Sequence, residues 1–253
     1  LDAGSLYELS WEQVKELLNE TDIVLVPVGS LEQHGPHLPL GTDSIIASEV
    51  ARKAAEKAKV AVTPVIPFGF SIEHMSFPGT ISLEPETLLL IVKNISVSLV
   101  SHGFKKIVFI NAHGGNTGIL TTAIQLIKNE TNIFVALVSV WDLAFSEFKK
   151  IRESRPGKIN HAEEFETSLI KVINPSLIQV DRLKRISHFV EKNAITDLYE
   201  ANSKIKVAWK IEDYSKIGIL GEPTKASVEK GKRLLNSAID NLTKFLIDLK
   251  FKK

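Results

Sequence analysis

With 253 residues, 44% hydrophobic and 24% charged, the chain fits one large α/β domain spanning residues 1–253, and neither a disordered nor a fibrous class suits it. Thirty-one Lys and Arg against 30 Asp and Glu leave a formal net charge of +1, so there is no field to gather nucleic acid or an anionic membrane, and a small-molecule substrate is expected. Cysteine is absent, which excludes disulfides, thiolate ligands and a cysteine nucleophile, leaves His and carboxylates as the metal ligands available, and fits a reducing, cytoplasmic location.

In chain order, an amphipathic helix is expected around Trp11 to Leu18, followed by the apolar run Asp22-Ile-Val-Leu-Val-Pro-Val-Gly29, which reads as a buried parallel strand. Ile45 to Ala58 reads as a helix, Val60 to Ile66 as a strand and Glu84 to Val100 as a helix. Lys106 to Asn111 is strand-like, Ile119 to Lys128 helical and Ile133 to Val140 again strand-like. This alternation predicts a three-layer α/β sandwich with a mainly parallel sheet. Ala162 to Ile173 has helical spacing, with Asn160 and Glu163 as an N-cap pair and Asn174-Pro175 as its stop. The stretch from Val180 to Gly221 has no single period and suits a lid or subunit contact; Pro223 opens a long helix towards Ile247. No apolar run reaches the roughly 18 residues that suggest a membrane span.

The chemistry concentrates in four stretches that hold His34, His37, His74, His113 and His161, five of the seven histidines. His102 and His188 stand outside and read as structural or exposed. The first stretch, Gly29-Ser-Leu-Glu-Gln-His-Gly-Pro-His-Leu-Pro-Leu-Gly-Thr-Asp43, begins where a strand ends, the place where ligands bind in open α/β sheets. Glu32 and His34 leave an extended segment on the same side, and the Gly and Pro residues that follow bend the chain so that Asp43 can return to them. Asp43 also precedes a helix, where an aspartate cap needs no metal. Taken with Glu32 and His34 it completes a carboxylate and imidazole set suited to Zn, Mn or Fe. His37 is either a partner behind the ligands or a solvated loop residue.

In Asn111-Ala-His-Gly-Gly-Asn116, again at a strand end, His113 is placed as a ligand, Gly114 and Gly115 let the backbone approach a substrate, and Asn116 suits a helix cap. The loop Gly69-Phe-Ser-Ile-Glu-His-Met-Ser-Phe-Pro-Gly-Thr80 offers Ser71, Glu73 and His74 as substrate contacts. In His161-Ala-Glu-Glu-Phe-Glu-Thr-Ser168, Glu166 shares a helix face with Ala162, Leu169, Ile170 and Ile173, and a carboxylate there needs a partner. Glu163 reads as a capping residue, Glu164 as solvated, and His161 as either a proton shuttle or a surface residue.

Together these motifs, with Phe77-Pro-Gly-Thr80, resemble the creatininase (creatinine amidohydrolase) family from about Leu6 to Ile173, with a weaker echo at Gly221-Glu-Pro-Thr-Lys-Ala226. The resemblance implies an α/β/α fold, two divalent metal ions per chain and a homo-oligomer, often a hexamer in this family. It makes Glu32, His34, Asp43 and His113 the metal ligands, with Asp43 bridging, and assigns substrate contact to Ser71 and a place beside the substrate to His161. The reaction implied is attack of metal-activated water on a C–N amide carbon, cyclic amide or formamide, with His161 protonating the leaving nitrogen. Creatinine hydrolases carry His-Tyr-Glu where this chain has His113-Gly114-Gly115, so a metal-binding carboxylate is missing, and Glu166 is the residue expected to replace it or to stand just behind the ligands. They also carry a tryptophan and a glutamate where this chain has Gly157 and Asn160. The His-Gly-Gly form occurs in relatives that deformylate a formamidopyrimidine nucleotide and in one that trims a peptide cofactor precursor. A non-catalytic metal-binding module and a two-metal phosphohydrolase are the rival classes. These departures predict weak or absent turnover of creatinine; a robust rate of creatine formation by the purified protein would refute this.

Overall fold

Strand β1 (Ile23–Val28), with β2 (Ala61–Val62), β3 (Lys106–Asn111) and β4 (Phe134–Ser139), forms a parallel sheet in the order β2-β1-β3-β4. The computed structural model describes residues 4–155, 159–185 and 208–251. Val24 lies opposite Ala61, Val26 opposite Phe109, and Phe109 opposite Leu137. Helix α1 (Trp11–Glu20) leads into β1, opened by a capping box in which Ser10 and Gln13 bond reciprocally. α2 (Thr42–Ala58), α3 (Pro85–Ser101) and α4 (Thr117–Thr131) make the three crossovers, and α5 (Val140–Ile151) leaves β4 directly. Beyond them come β5 (Ile159–His161), α6 (Glu164–Ile173), α7 (Val180–Arg185), β6 (Leu220–Gly221) and α8 (Val228–Lys250), with β5 and β6 antiparallel.

The sheet is apolar on both faces because helices cover both. Ile23, Leu25, Val108 and Ile110 pack against the alanines of α2 and the apolar faces of α6 and α8. Val24, Val26, Ile107 and Phe109 face the other way, onto Leu17 of α1, Leu88 and Val92 of α3 and Leu120 and Ile127 of α4. The alternation of neighbouring strand residues between two cores is the expected three-layer α/β/α sandwich. Each fully buried aliphatic side chain contributes about 1.5–3 kcal/mol. Among the described residues no helix is long and apolar enough to cross a membrane.

Several elements differ from the sequence expectation. The strand expected over Val60 to Ile66 is regular only at Ala61 and Val62 and meets β1 again at the Val28–Ile66 bridge, with Pro64, which lacks the N–H a ladder requires, in the gap. α5 was hidden by the apolar run that enters it from β4; its stripe of Val140, Ala144 and Phe148 emerges only after the strand ends. Pro223 opens a single 3-10 turn, Pro223–Lys225, and α8 starts later, where Ser227 accepts from the Lys230 N–H. Glu164 is not solvated: it is fully buried, accepts from Ser154 N at 2.8 Å and Glu153 N at 3.0 Å, and pairs with Lys230 of α8. Of the stretch read as a lid or subunit contact, residues 186–207 lie outside the described residues, as do His188 and Gly157.

Helix α8 crosses α6 very closely at Gly231. A Cβ there would lie 2.0 Å from the Ser168 carbonyl oxygen and 2.7 Å from Val172 Cγ2. Gly231→Ala is therefore expected to destabilise the fold by about 1–3 kcal/mol, lowering Tm by several degrees in a thermal melt. An unchanged melt would mean that the two helices do not meet at this spacing.

Candidate metal centre

Three strand ends converge on one point. After β1 the chain bends through Gly35 at φ 65° and is closed by Glu32 N–H to the Leu40 carbonyl at 3.0 Å, so that Asp43 arrives in the first turn of α2. The cap position is Gly41, and it makes no side-chain bond. Asp43 does not cap the helix; it is fully buried and turned towards Glu32 and His34. After β3, Asn111 grips the turn, accepting from His113 N–H at 3.1 Å and donating to the His113 carbonyl at 2.7 Å. Asn116 does not cap α4. It donates to the Gly29 carbonyl at 3.0 Å and accepts from Phe70 N–H at 2.9 Å, tying three loops together. After β5, Ala162 takes a left-handed φ of 54° and donates its N–H to Glu166 Oε2 at 2.6 Å. Glu163 itself caps α6, accepting from Phe165 N–H and Glu166 N–H, in place of the Asn160 pair expected.

The outer nitrogens of both central histidines meet backbone carbonyls, which can only accept: His34 Nδ1 lies 3.1 Å from the Glu32 carbonyl and His113 Nε2 2.7 Å from the Phe70 carbonyl. Those nitrogens therefore carry a proton in either charge state, and the inner nitrogens are left to hold a second proton or a metal ion. His34 Nε2 faces Asp43 Oδ1 at 3.1 Å and Glu166 Oε1 at 3.8 Å; His113 Nδ1 faces Asp43 Oδ2 at 3.2 Å and Glu32 Oε1 at 3.3 Å. With neither proton nor ion there, acceptor would confront acceptor. Both oxygens of Glu32, both of Asp43 and His34 Nε2 are buried without a hydrogen-bond donor. Positive charge must compensate them.

The electrostatics point the same way. Burial opposes charging of His34 and His113, yet Asp43 and Glu166 carry the first, and Glu32 and Asp43 the second, well above the ordinary imidazole range. Burial would raise Glu32, but His113 and His74 hold it well below the usual carboxylate range. Two sets of atoms are close enough to share a cation: Glu32, Asp43 and His113, and His34, Asp43 and Glu166. A third groups Glu32, His34 and His161. Nitrogen and carboxylate donors of this kind fit Zn, Mn or Fe. Among the described residues, the ion-pair partner of Glu166 is His34, while the nearby Lys230 is engaged by Glu153 and Glu164.

Glu32, Asp43, His113 and Glu166 line a cavity of about 300 Å³, of whose wall His34 is not a part. His74 and His161 reach its wall, both held by Gln33: its side-chain Nε2 lies 2.9 Å from His74 Nδ1, and its backbone carbonyl oxygen 2.7 Å from His161 Nε2. His161 is thus buried at the site and not a surface residue. Ser71 is placed behind His113, 3.3 Å from Nε2 and 2.5 Å from Ser30 Oγ, and is absent from the cavity wall. That position suits orientation of the ring better than the substrate contact expected. His37 is buried, with Nε2 2.9 Å from Thr167 Oγ1, which removes the solvated alternative. Burial pushes His37 down to about 3. His102 ends α3 in an exposed position. Gln33, Trp141, Trp209 and the inward carboxyl of Glu163 are wall or support residues that the sequence reading did not single out. Trp141 could have been found as the second residue after the apolar strand β4; Trp209 carries no comparable signal.

The two glycines differ. A Cβ at Gly114 would meet nothing within 4 Å, whereas one at Gly115 would lie 2.3 Å from the Phe70 carbonyl oxygen and 2.5 Å from His113 Nε2. Gly115 is what lets His113 bond that carbonyl, and a longer side chain has no room there. Gly115→Ala should therefore lower Tm by several degrees, through roughly 1–3 kcal/mol of overpacking, while Gly114→Ala leaves it within about a degree. Equal melts of the two variants would refute this account.

The sequence profile described as creatinine amidohydrolase matches residues 7–246. The mycofactocin precursor peptide peptidase of Mycolicibacterium smegmatis is 33% identical over 232 residues, covering 89% of this chain and 85% of the relative. The 2-amino-5-formylamino-6-ribosylaminopyrimidin-4(3H)-one 5'-monophosphate deformylase of Methanothermus fervidus is 30% identical, over 84% of this chain and 78% of its own length. Among solved structures, a creatininase in a manganese form and a mutant creatininase of zinc–zinc type each superpose with TM-score 0.84 at 26% identity, covering 99% of this chain and 100% of theirs. With a match that runs through every strand of the sheet and all three loops of the centre, the chain belongs to the creatininase family.

Proposed function

We propose that the protein is a metal-dependent amidohydrolase that hydrolyses a C–N amide bond of a small molecule at a centre of two divalent ions. Glu32, Asp43 and His113 would hold one ion, and His34, Asp43 and Glu166 the other, with Glu166 taking the place of the carboxylate absent at Gly115. The observation that carries this reading is Asp43, whose two buried oxygens each face the inner nitrogen of a different histidine whose outer nitrogen is held by a backbone carbonyl. Two such ions supply polarisation of a carbonyl and activation of water near neutral pH.

The chain's own groups complete the chemistry. His161 presents Nδ1 to the cavity, 3.7 Å from Glu32 Oε1, because its other nitrogen is engaged by the Gln33 carbonyl. Burial, with His34 and His74 beside it, pushes its pKa down to about 3, so it is neutral at pH 7. From that position Nδ1 is placed to relay a proton from the attacking water to the leaving nitrogen, where it ends. His74 accepts from Gln33 at Nδ1 and so offers an Nε2–H as donor, suited to a substrate oxygen. Ala112 and Gly114 leave the cavity floor open to a flat amide group. This open cavity argues against a non-catalytic metal module, which keeps a closed shell. A phosphohydrolase or a phosphorylated substrate is disfavoured because no Lys or Arg lines the cavity among the described residues. The cysteine-free composition supports a cytoplasmic enzyme, and the family resemblance a homo-oligomer.

Elemental analysis after reconstitution should find two divalent ions per chain in the wild type, none in Asp43→Ala and one in Glu166→Gln. Hydrolysis should appear in a panel of lactams, formamides and short peptides and not in phosphate esters. Full metal content in Asp43→Ala, or a Glu166→Gln variant that keeps both ions and melts earlier, would reduce these residues to structural parts.

A further inference from the structure

The cavity wall carries five carboxylates, and four of them are engaged. Glu32, Asp43 and Glu166 face the centre, and Glu163 accepts two backbone N–H groups at the start of α6. The fifth, Glu73, lies in the 3-10 turn Ile72–His74, half-buried, and has neither an ion pair nor a side-chain hydrogen bond among the described residues. Its carboxylate stands over Gly115, where a Cβ would come within 3.3 Å of Oε1, so the glycine keeps that oxygen open to the cavity. The same wall carries two tryptophans. Trp209 is 37% exposed and is held at steep angles between His74, 6.2 Å away, and Tyr214, 6.1 Å away, while Trp141 rests on Phe165.

An unpaired carboxylate in a partly desolvated wall is costly unless a positive group meets it, and an indole beside it attracts the same kind of group. Glu73 accepts from its own backbone N–H and feels the charge of His113, but no Lys or Arg lines the described wall to pair with it. We propose that the cavity selects substrates carrying a cationic group, an ammonium, amidinium or guanidinium, with Glu73 as its charged acceptor and Trp209 as the aromatic surface beside it. The inference rests on the amidohydrolase reading, since it places the scissile amide at the centre and the cation towards the outer wall. It makes Glu73 a specificity-determining residue with no part in bond cleavage.

The test uses the zinc-loaded full chain and three hydroxamates of equal length whose tails end in an ammonium, a methyl or a carboxylate, with affinities read by calorimetry. The ammonium probe should bind at least about tenfold more tightly than the methyl probe, and the carboxylate probe most weakly. Glu73→Gln, checked to retain its zinc, should bring the ammonium-to-methyl ratio to about twofold or less, and Trp209→Leu should lower it part of the way. Equal binding of all three probes, or a ratio that survives Glu73→Gln, overturns the proposal while leaving the metal centre standing. Failure of every probe to bind a fully zinc-loaded protein overturns the open-centre reading and this inference with it.

Discussion

The carboxylate of Asp43 is held between two imidazoles that both turn their inner nitrogens towards it, and the rest of the site is arranged around that meeting. Three carboxylates and two histidines removed from water are unstable by several kcal/mol per charge unless cations join them. The fold supports the arrangement from outside. The N-terminus of α2 offers a favourable field to Asp43, and the carbonyls of Glu32 and Phe70 fix the ring tautomers. A histidine free to flip would lose its ligand nitrogen half of the time.

Precision comes from side chains that join loops. Asn116 ties the end of β1 to the turn after β3 and to the loop around Phe70; Gln33 brings the loops of His74 and His161 together. Amides suit this work because each offers donors and acceptors in one rigid plane. The parallel sheet provides the frame, since its strand ends all open at one edge and β1 and β3 are direct neighbours there.

Helix α6 separates three carboxylates by rotation alone. Glu163 satisfies its own helix start, Glu164 turns to Lys230 and Ser154, and Glu166, two positions further on, faces His34. The strained Ala162 sets the entry angle that allows this, by giving its N–H to Glu166 Oε2. One short acidic run thereby caps, staples α8 and completes the centre.

Local pattern was enough for β1, β3 and β4, for the helices between them, and for the placing of Glu32, His34 and His113 at strand ends, because period and burial are properties of neighbours in sequence. It also marked Glu166, since an acid on an apolar stripe has to meet something. Whether Asp43 capped its helix or faced inward depended on the closure of the loop by Glu32 and Leu40, and the fate of Glu164 on a lysine 66 residues away. The same holds for Asn116, which looks like a cap in sequence and is a tie in space, and for Ser71, which lies behind a histidine 42 residues further on. Trp209 reaches the cavity from a stretch with no legible period. Sequence alone determined which residues could bear charge and metal; only the packing of distant segments decided which of them face one another, because burial and distance set the energy of a charge.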